Sequence, residues 1–147
     1  MRVSLSELID PNLEPTLGFL ERSNLGFLHY KINCLRQYCP HPFIIRTPER
    51  RRSGFRTKED HFGLYSEINA RRKATGLPDL RVPKKSMHLV GAAADILDRE
   101  GVIQKWILDN LIRSEEIGLW YEEFDSTPNW VHAQIYPPSS GKRFFKP

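Results

Sequence analysis

Beyond Gly118 the hydrophobic period of the chain changes from helical to two, and that change decides the fold class. Before it, Leu25, Leu28, Ile32 and Leu35 recur at spacings of three and four and predict a helix ended by Pro40 and Pro42. A second helix is expected from about Lys58 to Arg72, with Leu64 and Ile68 on one face and Gly76 as its stop. A third is expected from about Val102 to Glu116, carried by Ile103, Trp106, Ile107, Asn110 and Leu111. After Gly118, Leu119 to Phe124 and Trp130 to Tyr136 alternate as two strands, joined by the turn-rich residues Asp125 to Asn129. This order predicts an α+β fold: a small antiparallel sheet with helices packed on it.

The 147 residues fit one domain over 1–147, with its core over about 16–136. Residues 1–15 read as a lead-in, because Pro11 and Pro15 discourage a long helix. Phe43-Ile44-Ile45 reads as a short buried strand, and Thr47 to Arg52 as an arginine-rich loop. Residues 137–147 read as a basic tail extended over the surface. No run of eighteen apolar residues offers a membrane span, and no apolar segment follows Arg2 to make a secretory signal. A protein made in the cytoplasm is expected, reaching other compartments only by lysis or in a virion. Cys34 and Cys39 are too few for a zinc ribbon or a disulfide scaffold and read as reduced thiols in or near the core.

The formal charge is +4, and the cations cluster at Arg46/Arg50/Arg51/Arg52, at Arg71/Arg72/Lys73 and at Arg81/Lys84/Lys85. Such patches attract polyanions, whether nucleic acid or anionic cell-wall polymer, or are simply solvated.

The chemistry concentrates in Ser86-Met87-His88-Leu89-Val90-Gly91-Ala92-Ala93-Ala94-Asp95. A His and an Asp frame a run of small and apolar residues, and both are ligands for a borderline metal. In the last strand Val131, Ala133 and Ile135 take the core face, so His132 points the other way. Two imidazoles and a carboxylate leave a fourth position for water, as a catalytic zinc requires. On residue types alone, a hydrogen-bonded structural His–Asp pair accounts for the same pattern.

Ser86-x-His88-x-x-Gly91-x-Ala93-x-Asp95 resembles the signature of the D-alanyl-D-alanine carboxypeptidase family of zinc peptidases at every fixed position. Two further motifs of that family stand in order around it: Ser53-Gly54-Phe55-Arg56 upstream and Trp130-Val131-His132 on the late strand. The resemblance spans residues 53–132 and implies a hedgehog/D-Ala-D-Ala peptidase-like fold with Zn2+ bound by His88, Asp95 and His132. It implies a substrate-binding role for Arg56, which would grip a carboxylate or carbonyl oxygen, with Ser86 and Trp130 beside it. A general base is also needed. In some relatives it is a Glu three residues before the last His, but that position here is Asn129, which takes no proton. Other relatives place it after an aromatic on the preceding strand, which Tyr121-Glu122 matches. Period two puts Glu122 and Glu123 on opposite faces; Glu122 is the choice, with Glu123 or Asp125 behind it. His61 falls where relatives often carry Asn or His and is not counted as a ligand, and His29 and His41 read as structural. The stretch from Arg56 to Ser86 is longer than in compact relatives and suggests an extra helix or lid.

The expected function is therefore a monomeric zinc metallopeptidase cleaving peptidoglycan stem peptides or cross-links, as a phage endolysin or virion-associated lysin does. No nucleic-acid partner is expected. The alternative is a non-catalytic, zinc-containing binding or virion structural module of the same fold, which the missing acid at position 129 favours.

Overall fold

The computed structural model describes residues 2–147 and has the α+β architecture that the change of period predicts. Helix α1 spans Phe19–Tyr38 and α2 spans Lys58–Ala74. Strand β1 covers Ala93–Leu97, followed by α3 over Val102–Asp109 and α4 over Leu111–Ile117. Strands β2 (Trp120–Glu122), β3 (Trp130–Gln134) and β4 (Phe144–Phe145) complete a sheet of order β1-β3-β2-β4.

The sheet is mixed rather than antiparallel. β3 runs antiparallel to both β1 and β2, but β4 runs parallel to β2. The segment expected as a surface tail thus supplies an edge strand, because Tyr121 N–H and Glu123 N–H donate to the carbonyls of Arg143 and Phe145. Phe144 stacks on Tyr121 at 5.8 Å between ring centroids, which fixes the strand on the apolar face. The core also extends past residue 16 towards the N-terminus: Val3, Leu8 and Ile9 are buried with the α1 residues.

Two further expectations fail locally. Residues 43–45 form no strand; the outer edge of β1 is instead covered in two pieces, Leu97 N–H donating to Ile44 O and Asp95 N–H to Ser53 O. The third helix is broken at Asn110, whose φ of −127° and ψ of 45° leave the helical region. Its side-chain amide donates to Trp106 O at 2.9 Å, and such a local bond competes with the helical backbone.

The core lies on one face of the sheet. Leu25, Leu28, Ile32 and Leu35 of α1 and Ile103 and Ile107 of α3 pack with Ala94, Ile96, Tyr121, Val131 and Ala133. Burial of each large aliphatic side chain contributes roughly 1.5–3 kcal/mol. α2 does not join them. Its residues Leu64, Tyr65, Ile68 and Arg71 face the opposite side, where they line a cleft with Asp95, Glu122, His132 and Gln134. The helices therefore flank the sheet on both sides, with the cleft between α2 and the strands. No described helix is long and apolar enough to cross a membrane.

Candidate metal centre

Three separate segments bring His88, Asp95 and His132 together. A short 3-10 turn over Met87–Val90 carries His88, and Ser86 Oγ caps it by accepting from His88 N–H at 3.4 Å. The turn ends at Gly91, whose φ of +71° suits glycine; a Cβ there would also meet Leu25 Cγ at 2.8 Å and Glu21 O at 3.0 Å. The chain can then enter β1 close against α1. Asp95 and His132 are direct partners in the antiparallel register of β1 and β3. The same β2–β3 register, continued by one residue beyond Tyr121↔Ala133, sets Glu122 opposite His132 on the cleft face.

The donor atoms converge. His132 Nδ1 lies 2.8 Å and His88 Nε2 3.3 Å from Asp95 Oδ1. One ligand atom from each of the three residues falls within 4.8 Å of the others, so the triad could hold a metal ion. The far side of each ring is engaged. His88 Nδ1 is 2.8 Å from Gly54 O, a carbonyl that only accepts, so the proton sits on Nδ1 and Nε2 offers its lone pair. The 2.8 Å contact between His132 Nδ1 and Asp95 Oδ1 is a hydrogen bond, and two imidazoles with a carboxylate are also the donor set that a borderline metal takes.

Arg56 is only 8% exposed and is tied to the same centre. Its Nη2 donates to Asp95 Oδ2 at 2.8 Å and its Nε to the Arg52 carbonyl, while its backbone N–H donates to His88 O at 3.1 Å. It therefore holds one oxygen of Asp95 and turns the other towards the imidazoles. Nη1 has no hydrogen bond to a described residue.

Electrostatics follow from burial and from Asp95. Burial alone would push the Asp95 carboxyl up, but the imidazoles of His88 and His132 prevail and hold it well below the usual carboxylate range. The two histidines move in opposite directions. Burial lowers His88, whereas for His132 burial is outweighed by the shorter hydrogen bond to Asp95, and its affinity for a proton rises. Burial raises the Glu122 carboxyl above its ordinary value, with His132 pulling the other way.

The cleft above the triad has a volume of about 770 Å³ and is lined by Ser86, Arg56, Glu122 and Trp130 together with the three candidate ligands. Every site residue expected from the sequence is in this one place. Glu123 and Asp125 are not among its lining residues. His61 is buried away from the triad, with Nε2 2.9 Å from Pro83 O, where it ties α2 to the loop that returns to Ser86. Cys34 and Cys39 are free thiols, the second fully buried.

Sequence reasoning missed other participants. Gln134 Oε1 lies 3.3 Å from His132 Nε2, and the Phe145 ring meets the His132 ring edge-on at 6.3 Å. Tyr65 joins from α2. The alternation of β3 was enough to flag Gln134, two residues along the same face as His132; nothing local flagged Phe145. The basic clusters are partly structural: Arg46 pairs with Asp10 at 2.6 Å, Arg52 with Glu67 at 2.9 Å, and Arg50 reaches backbone carbonyls. Arg51, Arg71 and Lys85 line the cleft. No protein-family model matches this chain, and no curated protein or solved structure matches it either.

Proposed function

We propose that this chain is a zinc peptidase of the D-alanyl-D-alanine carboxypeptidase type, cleaving peptidoglycan stem peptides or cross-links, in the manner of a phage lysin. The observation that carries the reading is the convergence of His88 Nε2, Asp95 Oδ1 and His132 Nδ1 beneath a cleft, with Glu122 opposite His132. Zinc held by these three would supply a Lewis acid for the scissile carbonyl and a bound water acidified to a pKa of about 7.

The protein's own groups do the rest. The Glu122 carboxylate takes a proton and later returns it to the leaving amine. Its raised proton affinity suits that exchange, since a base works best with a pKa close to the working pH. Arg56 Nη2 steadies Asp95, and Arg56 Nη1 binds a substrate oxygen with a charge-assisted hydrogen bond. Trp130, on the same face of β3 as His132, lines the wall against which the substrate lies.

The test measures bound zinc, then release of amines from purified peptidoglycan with and without a chelator. About one zinc per chain and chelator-sensitive release are expected. Zinc without release from any wall chemistry supports a non-catalytic module of the same fold, and a His88→Ala protein that still takes its full zinc would sink the ligand assignment.

A further inference from the structure

The cleft holds more positive charge than its own carboxylates neutralise. Of the arginines around it, Arg52 pairs with Glu67 and Arg56 with Asp95, while Arg50 donates to the carbonyls of Ile44, Ile45 and Asp95. Arg51, Arg71, Lys85 and Lys146 also line the cleft, and all four are exposed. Among the described residues, none of the four has an ion pair or a side-chain hydrogen bond. Two carboxylates face them without an ion-pair partner: Glu49, which accepts from Thr47 Oγ1 at 2.8 Å, and Glu122 on the floor. Cations gathered around one concave site focus their field into it and concentrate anions there.

The four cations come from separate segments. Arg51 sits in the loop leading to Ser53, whose carbonyl accepts from Asp95 N–H along the outer edge of β1. Lys146 follows Phe145 of β4, at the opposite edge of the sheet. Four strands at the usual spacing of about 4.8 Å put those edges roughly 15 Å apart. His132 and Glu122 lie between them, on the two inner strands. Arg71 is in the last turn of α2, and Lys85 ends the loop that His61 ties to that helix, so both come from the α2 side. The lining between the cations is apolar, with Leu64, Ile68, Met87 and Trp130. Such a wall receives the apolar side chains of a peptide, which a sugar-phosphate polymer lacks, and guanidinium forks match carboxylates.

We infer that the cleft takes an extended acidic peptide that crosses the strands, with carboxylates on both sides of the bond above His132, one held at the Arg51 edge and one at the Lys146 edge. This rests on the peptidase reading for the bond that is cut, and it makes that bond an internal one. An extended chain covers the distance between the edges in about five residues.

The test is fluorescence anisotropy of hexapeptides carrying a neutral dye, amidated at the C-terminus so that no terminal carboxylate contributes, on the full chain with and without a chelator. One peptide alternates leucine with glutamate, and its twin carries glutamine instead. At low salt the acidic peptide should bind about tenfold tighter, and the difference should shrink towards about 1 M salt. Arg51→Gln, Arg71→Gln, Lys85→Gln and Lys146→Gln should each lose about two- to fivefold for the acidic peptide and nothing for its twin. With a single glutamate at one end or the other, Arg51→Gln should weaken one peptide and Lys146→Gln the other. The inference is overturned by equal binding of the twins, or by a matching loss in Lys73→Gln, which does not line the cleft. Both edge variants weakening the same peptide also overturns it. Inorganic polyphosphate binding where neither peptide does overturns it in favour of a phosphate polymer. Wild type that takes no zinc yet prefers the acidic peptide upholds the binding surface and sinks the peptidase reading, so the two fail separately.

Discussion

The two faces of the β1–β3–β2 sheet are built from alternate residues of the same strands and obey opposite physics. On one face Ala94, Ile96, Tyr121, Val131 and Ala133 pack against α1 and α3, where burial and close contact stabilise the fold. On the other, Asp95, Glu122, His132 and Gln134 line a cleft, where taking polar groups out of water costs free energy unless they are paired. Pairing there is incomplete: Asp95 is satisfied by three neighbours, but the Glu122 carboxylate has no hydrogen-bond partner among the described residues. Period two thus separates the residues that hold the protein together from those that line the cleft, within strands of three to five residues. If that division is right, substitutions on the two faces should give nearly orthogonal phenotypes.

The widest separation is expected from Glu122→Gln. As the general base, Glu122 should contribute about 10²- to 10⁴-fold in turnover, lost with bound zinc unchanged. Stability should not fall. Burial raises the Glu122 carboxyl, so its ionised form is disfavoured by the fold. The folded state holds this proton more tightly than the unfolded chain, so the group costs stability above its folded pKa and costs nothing below its unfolded value. The amide removes that cost at neutral pH, and urea denaturation of the metal-free protein should show an equal or slightly raised midpoint. The wild-type rate should fall as pH drops through a value above that of an ordinary glutamate carboxyl, because burial raises it. A midpoint well below wild type, or full turnover in the variant, would break the division.

The opposite face offers the mirror experiment. Ile96→Ala removes a fully buried side chain next to Asp95 in β1, and the cavity left behind should cost about 2–5 kcal/mol in urea denaturation. Zinc affinity of the protein that remains folded should change little, because the Asp95↔His132 register is held by backbone pairing. A loss of affinity as large as the loss of stability would mean that the faces are coupled through β1.

How much of this division was legible in the sequence depended on the range of the forces involved. The alternation of Trp130 to Gln134 alone placed His132 and Val131 on opposite faces, and strong helical spacing placed α1. β1 was not legible as a strand. Ala92, Ala93 and Ala94 carry no β preference, and only pairing with β3 makes Ala93–Leu97 extended. β4 is two residues long, and what fixes it is the partner strand and Tyr121, over twenty residues away. The break at Asn110 came from one side-chain bond that periodicity does not register. Within the site, residue types and motif spacing gave the candidate ligands. The partners behind them, Gly54 O and Gln134, depend on tertiary placement.

Gly54 shows where the two faces do meet, and it sharpens the comparison with a smaller effect. Its carbonyl holds His88 Nδ1, while its Cα presses on the N-terminal segment buried in the core. A Cβ there would stand 2.0 Å from Leu8 O and 2.7 Å from Leu8 C, both backbone atoms with no rotamer to retreat to. The next residue is fastened at the same point, since Phe55 N–H donates to Leu8 O at 2.7 Å. Gly54→Ala must therefore move either the Leu8 backbone or the Gly54 carbonyl. Overpacking of this kind costs about 1–3 kcal/mol. If the carbonyl moves, the His88 ring loses the acceptor that directs its proton to Nδ1, and zinc affinity should drop by about tenfold or more. If the Leu8 segment moves, stability falls and affinity survives. Measuring both in one variant tells which side of the contact is stiffer, and a protein unchanged in both would mean that neither face depends on it.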